Sequence, residues 1–222
     1  MRKYLFLAAA VPVIFTIIYL SETSIHIIRH GEKVIDEGVS DAPLTEAGIE
    51  QAKELGRILA NEYKIDQLFV SPMRRARQTA ESISSATKSK MVFDDRLTEK
   101  NYRRSDDLYP DDTNVFVKYF PDGSKENKEQ HLSRLLGFFK DKISILDKEV
   151  WIVAHGGLIR RLLEKIQQEK IQDLPELKIK YCSNFEFSYN KLTGTIKYVS
   201  HSYSNSPKLS AESCRRPDLG QK

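Results

Sequence analysis

The chain has 222 residues, enough for one domain with a sizeable core but not comfortable for two. Hydrophobic residues make up 40% of it and charged residues 30%, as in an ordinary globular protein. The net charge of +4 is interleaved along the chain without a basic stripe, so we expect no nucleic-acid partner. No CxxC motif and no Cys/His spacing typical of zinc occurs, so we expect no zinc site, and we expect no other cofactor. Cys182 and Cys214 could pair in an oxidising compartment.

The N-terminal residues 1–21 are predicted to form a signal anchor or a signal peptide. Arg2 and Lys3 precede an uncharged run over residues 4–20. As a helix this run measures roughly 25 Å, close to the hydrocarbon thickness of about 30 Å. No small-x-small cleavage pair follows it, which favours an uncleaved transmembrane helix. The positive flank then places the domain outside the cytoplasm, in the periplasm, the lumen or the exterior, and cleavage would make it a secreted protein.

The first half of the chain alternates between short β-branched runs and segments with helical periodicity. Turn-forming residues separate these runs. The predicted elements are a strand at 24–29, a loop at 33–43, a helix capped by Thr45, a strand at 66–70, a helix with Ser71 as its cap and Pro72 as its first residue, and a strand at 91–93.

The second half begins with the polar stretch 103–124, in which we expect a loop with a short helix at 115–119. Because strands and helices alternate, residues 24–203 are predicted to form a three-layer α/β/α domain with a mainly parallel central sheet, preceded by the transmembrane helix. The remaining predictions are a helix at 132–146, a strand at 150–154, a helix at 158–166, strands at 185–189 and 195–200 around Thr193-Gly194, and a disordered polar tail at 204–222.

Chemistry-bearing residues occur where predicted strands end. Arg29-His30-Gly31 closes the first strand, Arg75 opens the helix after the second, and His155-Gly156-Gly157 closes the strand at 150–154. If these strands are parallel neighbours, two histidines and two arginines meet at one edge of the sheet. Arginine matches phosphate oxygens in a bidentate way, and neutral imidazole can attack phosphorus. The sequence therefore predicts a site for a phosphate dianion.

Four blocks together resemble the signatures of the histidine phosphatase superfamily, the phosphoglycerate mutase-like group, in the family's order. The likeness covers about residues 24–200. A lone Arg-His-Gly would mean little, but four ordered blocks at predicted strand and helix ends are specific. They are Arg29-His30-Gly31-Glu32, Asp41-Ala42-Pro43-Leu44-Thr45-Glu46-Ala47-Gly48, Ser71-Pro72-Met73-Arg74-Arg75-Ala76-Arg77-Gln78-Thr79-Ala80 and Val153-Ala154-His155-Gly156-Gly157.

The resemblance implies a role for each matched residue. His30 would be the nucleophile that becomes phosphohistidine, while Arg29, Arg75 and His155 would hold the phosphoryl oxygens. Leu97-Thr98-Glu99 resembles the family's Leu-x-Glu block, so Glu99 is the candidate general acid and later the base that activates water. No metal is required, since arginines supply the positive charge.

Two departures from the family pattern weaken particular assignments. Members often carry Trp-Asn soon after the first block, with the Asn on the phosphate, whereas residues 33–37 read Lys-Val-Ile-Asp-Glu. Residues 100–104, after Glu99, lack the Gly-rich run that is common in the mutases, and Glu99 could instead be an exposed loop carboxylate. The resemblance therefore supplies no Asn contact to the phosphate, and it leaves two interpretations of Glu99 open.

Several other polar residues have plainer interpretations. His26 is expected to be packed in its strand, Trp151 to be core, and His131 and His201 to be surface residues. The acidic pairs Asp106-Asp107 and Asp111-Asp112 are interpreted as a solvated loop, because the spaced ligands of a calcium loop are missing.

The resemblance and the site together predict a phosphatase that hydrolyses phosphomonoesters. The alternatives are a phosphoglycerate-type phosphomutase, disfavoured by the short loop after Glu32, and a catalytically inactive membrane-tethered module that binds phosphorylated ligands. The substrate would be small and phosphorylated, with a phosphoprotein also possible. Arg103, Arg104 and Lys118 could contact its anionic tail, and the oligomeric state is open.

Overall fold

The computed structural model describes residues 21–35, 41–100, 125–143 and 148–203. Within these ranges no helix has both the length and the apolar composition that crossing a bilayer requires. Several predictions fall on residues outside these ranges: the membrane segment at 4–20, the loop at 103–124 with its short helix and its charged residues, and the tail at 204–222 with Cys214. The helix predicted to reach 146 ends earlier, at Lys142, because the backbone of Ile143 is extended.

The described strands form one six-stranded sheet in the order β3-β2-β4-β1-β5-β6. Strands β1, β2, β3 and β4 are mutually parallel, whereas β5 runs antiparallel to β1 and β6 antiparallel to β5. The prediction of a mainly parallel sheet is therefore only partly right, because β5 and β6 are joined by a short turn, which can only link antiparallel strands. The strands are β1 (Glu22–Arg29), β2 (Gln67–Val70), β3 (Lys90–Phe93), β4 (Glu149–Ala154), β5 (Ser183–Asn190) and β6 (Ile196–Tyr203).

Four helices in the described part of the chain cover the two faces of the sheet, which confirms the three layers. Successive strand residues point to opposite faces, so Ile27 and Ile152 lie in one core and Ile28 and Val153 in the other. Helices α1 and α2 pack in the second core, and α3 and α4 in the first. Their bounds are α1 (Glu46–Glu62), α2 (Arg74–Thr87), α3 (Lys128–Lys142) and α4 (Gly156–Gln168), with a 3₁₀ turn at Asp95–Leu97.

The helix starts follow local capping chemistry, with one correction. Thr45 caps α1 as predicted, its hydroxyl accepting from Gly48 N at 3.0 Å. The prediction for α2 is wrong: Ser71 is not its cap and Pro72 not its first residue, because the helix begins at Arg74 after Met73. The Ser71 hydroxyl makes a contact across the sheet instead, described below.

Three histidines were not assigned to the candidate phosphate site, and the burial of two of them differs from the prediction. His26 is packed as predicted, its ring stacked on Trp151 with centroids 3.8 Å apart, and Trp151 is core. His131 is 1% exposed, so its assignment to the surface is wrong: the buried side of α3 carries it. His201 is only partly exposed, and its Nδ1 lies 2.6 Å from the Tyr198 hydroxyl, so it too is not a free surface residue.

Candidate active site

The carboxyl ends of β1, β2 and β4 meet at one edge of the sheet. Arg29 is paired with Ala154, and Val70 with Val153, so the residues that follow these strands lie side by side. The rings of His30 and His155 are 5.2 Å apart, and Arg75 Nε lies 3.2 Å from His30 Nε2. The predicted meeting of the histidines and arginines is present in the structure.

His30 is held in one tautomer by two hydrogen bonds. Its Nδ1 lies 2.7 Å from the carbonyl oxygen of Gly31, which can only accept, so Nδ1 carries the proton. Its Nε2 accepts from Arg75 Nε, which can only donate. The lone pair of Nε2 therefore faces the arginine that is expected to hold phosphate.

The surroundings of His30 keep its imidazole neutral. Its pKa is lowered from 6.5 to about 3, first by burial and then by the positive charges of Arg75, Arg29 and Lys33, while the hydrogen bond to Gly31 opposes them. A neutral imidazole has a free lone pair, so His30 is nucleophilic at neutral pH.

The close approach of two backbone segments shapes the turn at His30. A Cβ on Gly31 would lie 2.5 Å from the carbonyl oxygen of Gly48 in the first turn of α1, and one on Gly48 would lie 2.0 Å from that of Glu32. Gly31 N also donates to the Thr79 hydroxyl at 3.0 Å. The glycines of the first two sequence blocks thus allow α1 to pack directly on the turn that follows β1.

Arg75 is buried at the start of α2, with 5% of its surface exposed. Its Nη1 lies 3.8 Å from Asp41 Oδ1, and the same carboxylate oxygen accepts from Arg74 N at 2.8 Å. Asp41 therefore fixes both the first turn of α2 and the guanidinium it carries. This accounts structurally for the aspartate that begins the second sequence block.

His155 lies at the end of β4 and is fully buried. Its Nε2 is 2.8 Å from the Ser71 hydroxyl at the end of the neighbouring strand β2. Its Nδ1 has no hydrogen-bond partner among the described residues. Burial first, then the charge of Arg75 and the neighbouring His30, hold the pKa of His155 well below its ordinary value, so this ring is also neutral.

Arg29 lies along the first turn of α4, its Cδ and Nε 3.3 Å from where a Cβ of Gly156 would be. Its Nη1 donates to the carbonyl oxygen of Ile179 at 2.6 Å, and its guanidinium carbon sits 4.0 Å from the centre of the Tyr181 ring. Burial lowers the pKa of Arg29, with Tyr181 and Glu99 opposing, yet a guanidinium stays charged at neutral pH.

Glu99 lies at the N-terminus of α4. Its Oε2 accepts from Gly157 N at 3.1 Å and its Oε1 from Lys100 N at 2.9 Å. Gly157 is needed for this, since a Cβ there would lie 2.1 Å from Glu99 Oε1. With 31% of its side chain exposed, Glu99 lines the cleft and can reach a bound substrate.

The predicted residues Arg29, His30, Arg75 and Glu99 line one open cleft of about 410 Å³, with His155 buried behind it. Its other charged lining residues are all basic, so an anionic ligand is favoured there. Among the described residues, no three His, Cys, Asp or Glu side chains cluster so as to hold a metal ion. The basic residues that sequence reasoning did not assign to the site are Lys33, Arg160 and Arg161.

Three supporting contacts were also not predicted from the sequence. They are the Ser71 to His155 hydrogen bond, the stacking of Arg29 on Tyr181 and the approach of buried His131 to Glu99. The first could have been suspected, because Ser71 and His155 both follow strands that end at the same edge. The other two join residues far apart in sequence, without a local signal.

Comparison with known proteins agrees with this geometry. The sequence model of the histidine phosphatase superfamily (branch 1) matches residues 25–201. The chain is 31% identical over 183 residues to the uncharacterized phosphatase PhoE of Bacillus subtilis, covering 76% of this chain and 91% of PhoE. It is 30% identical over 158 residues to putative phosphoserine phosphatase 2 of Hydrogenobacter thermophilus, covering 63% of this chain and 76% of that protein.

Solved structures share the fold at low sequence identity. A mycobacterial glucosyl-3-phosphoglycerate phosphatase superposes with a TM-score of 0.57 at 20% identity, over 80% of this chain and 97% of its own. A phosphoglycerate mutase from Bacillus anthracis superposes with a TM-score of 0.58 at 22% identity, over 80% of this chain and 92% of its own. Since the family model spans most of the chain and includes His30, Arg75 and His155, the chain belongs to the histidine phosphatase superfamily, branch 1.

Proposed function

We propose that this protein hydrolyses phosphomonoesters through a phosphohistidine formed on His30. The observation that carries the proposal is the state of that imidazole. It is neutral, its proton is fixed on Nδ1 by Gly31, and its Nε2 lone pair points at Arg75. A phosphoryl group entering beside Nε2 would take over the donor of Arg75 and leave the lone pair directed at phosphorus.

The first step joins His30 Nε2 to phosphorus and breaks the bond from phosphorus to the ester oxygen. Arg75 and Arg29 offset the charge on the phosphoryl oxygens, and the buried His155 offers a further donor from the neighbouring strand. Glu99, protonated, gives its proton to the departing alkoxide.

The second step returns the enzyme to its starting state. Water attacks the phosphorus of the phosphohistidine, the bond to Nε2 breaks, and inorganic phosphate leaves. The Glu99 carboxylate takes the proton of the attacking water, so the proton lost in the first step is restored. The cleft is open to solvent at Glu99, which gives water its access.

The test is turnover of a panel of aryl phosphates, sugar phosphates, phosphoserine and 3-phosphoglycerate by the wild type and by His30→Ala. We expect phosphate release by the wild type and a loss of roughly 10³-fold or more in the variant. Brief incubation with radiolabelled substrate should give an acid-labile, base-stable label that His30→Ala lacks. Equal rates in the two proteins would remove His30 as the nucleophile.

The same panel separates hydrolysis from the two alternatives. A relative at 28% identity is a 2,3-bisphosphoglycerate-dependent phosphoglycerate mutase of Rhizobium etli. Transfer of the label to a second phosphoglycerate faster than to water would identify such a mutase. A structural neighbour is the mycobacterial phosphatase solved with VO3, so vanadate is a suitable probe. Vanadate binding without turnover of any phosphate ester would identify an inactive binding module.

We also infer that residues 4–20 tether the domain to a membrane with the active site outside the cytoplasm. The support is the uncharged run with Arg2 and Lys3 on its N-terminal flank. A reporter fused after Lys222 should signal an extracytoplasmic location. A cytoplasmic signal would contradict the orientation, and release of the full-length domain into the medium would indicate cleavage.

A further inference from the structure

His131 is a buried histidine that the steps above do not use. It lies on α3, is 1% exposed, and its Nε2 is 3.9 Å from Glu99 Oε1. This nitrogen is buried and has no hydrogen-bond partner among the described residues. A buried polar atom without a partner is uncommon and calls for an explanation.

The tautomer of His131 follows from its other ring nitrogen. The backbone of Thr98 raises the pKa of the ring, as a carbonyl that faces a ring N–H does, and because Nε2 has no partner among the described residues we assign the proton to Nδ1, on the side of Thr98. Burial first and then Arg134 lower the pKa of His131, so the ring is neutral. Nε2 therefore presents a lone pair, which can only accept a hydrogen bond.

Among the charged groups of the described residues around His131, Glu99 faces Nε2, and it can donate a hydrogen bond only when its carboxyl is protonated. The Arg134 guanidinium donates two hydrogen bonds to the carboxylate of Glu126, at 2.8 and 2.9 Å, and this carboxylate offsets its positive charge. His155, at the end of β4, is neutral, and the charge that a protonated His131 would carry is one of the causes that lower the pKa of His155. A Glu99 carboxylate would direct negative charge at the lone pair, whereas a Glu99 carboxylic acid can donate to it.

We propose that His131 is a positioning residue that accepts a hydrogen bond from protonated Glu99 and so holds the general acid in its proton-bearing form. The proposal rests on the proposed function. The separation of 3.9 Å must shorten to roughly 2.7–3.2 Å when Glu99 takes up its proton, and the same proton leaves this bond for the ester oxygen as the alkoxide departs. After Glu99 has protonated the alkoxide and regained a proton from water, the bond to His131 forms again.

The test compares leaving groups. A 2,4-dinitrophenolate departs without protonation, whereas the alkoxide of glycerol phosphate requires it. The variant His131→Asn keeps a donor near Nδ1 for Thr98 and removes Nε2. We expect kcat/KM for glycerol phosphate to fall about tenfold, a part of the 10²–10⁴-fold that a general acid supplies, and kcat/KM for the dinitrophenyl ester to fall less than about twofold.

Two further variants test whether His131 acts through Glu99. His131→Gln places an amide oxygen near Nε2 and should recover part of the alkyl-ester activity. Glu99→Gln/His131→Asn should be no slower than Glu99→Gln alone, because both changes remove the same proton donation.

The matched control is His26→Asn, which removes another buried histidine that does not face Glu99. Its loss of kcat/KM should be the same for both esters. Vanadate binding and thermal unfolding verify that each variant is folded, and if His131→Asn is not, His131→Leu, which also lacks an acceptor near Nε2, replaces it in the leaving-group comparison.

The outcomes separate this inference from the proposed function. Equal losses on both esters in His131→Asn, or additive losses in the double variant, would overturn the role of His131 while His30→Ala remains inactive. A wild type without turnover, or an active His30→Ala, would instead remove the function on which the inference rests.

Discussion

The substitution Gly157→Ala, at the N-terminus of α4, should lower catalytic activity while leaving the free energy of unfolding nearly unchanged. The added Cβ would lie 2.1 Å from Glu99 Oε1 and 2.8 Å from Oε2, whereas atoms in contact are about 3.5 Å apart. The carboxyl group must therefore move by about 1 Å or more. It is the end of a flexible, partly exposed side chain, so it can move without unfolding the protein.

The magnitudes follow from what the carboxyl group does. A misplacement of about 1 Å can cost roughly 10²-fold in rate, and complete loss of a general acid costs at most about 10⁴-fold. We therefore expect kcat/KM of Gly157→Ala on an alkyl phosphate to fall by about 10²-fold. Replacing glycine by alanine in a helix stabilises the folded state by about 0.5–1 kcal/mol. Losing the hydrogen bond from Gly157 N to Glu99 destabilises it by about the same amount. Stability should hardly change.

The assay is kcat/KM on glycerol phosphate together with the urea midpoint of unfolding. Gly137→Ala is the matched control, since its Cβ would meet nothing within 4 Å in the interior of α3. It should gain about 0.5–1 kcal/mol of stability and keep full activity. Wild-type activity in Gly157→Ala would refute the reasoning about Glu99, as would a loss of activity matched by an equal loss of folded protein.

Three further predictions concern the fold around the site. Gly48→Ala drives a Cβ to 2.0 Å from the carbonyl oxygen of Glu32, where backbone must yield, so the free energy of unfolding should fall by about 3 kcal/mol in urea titration. Ser71→Ala leaves buried His155 Nε2 without its partner and should cost about 1–3 kcal/mol by the same measurement, with an unchanged value contradicting that bond. Because the pKa of His30 is lowered from 6.5 to about 3 on folding, the unfolded chain binds the extra proton. The contribution of His30 to stability is therefore fully present above about pH 6.5 and is lost by up to about 1.4 kcal/mol per pH unit as the pH falls towards 3. Buried His26 and His155, whose pKa values are also lowered, add to the decline, which should be shallower in His30→Asn than in the wild type.

The sequence was informative where the chemistry is local. Glycines and a capping threonine mark where strands end and helices begin, and these signals placed His30 and His155 at strand ends and started α1 at Thr45. Whether those strand ends meet depends on the strand order, which four family-like blocks indicated and the pairing of β4 between β2 and β1 establishes. Local patterns predicted the pieces of the site, and the resemblance predicted their assembly.

The errors came from contacts between distant residues. Ser71 precedes a proline and looks like a helix cap, yet its hydroxyl binds His155, which is 84 residues away in sequence. His131 has no partner pattern nearby, because its neighbours Thr98 and Glu99 belong to another segment. Such contacts depend on tertiary packing, which a single sequence does not encode in any local pattern.

Burial and positive charge both lower the pKa of His30. Which of the two lowers it more decides whether bound substrate changes the protonation of the nucleophile. Burial is the larger cause of its lowered pKa and Arg75 the second. A bound phosphate dianion offsets the charge of Arg75, but it leaves the imidazole buried, so the nucleophile should stay neutral when substrate is present. An NMR titration of the His30 ring tests this in Arg75→Gln, where the pKa should rise but remain below 6.5. A return to 6.5 would mean that the arginine, and not burial, keeps His30 neutral, and substrate binding would then favour protonation of the nucleophile it needs.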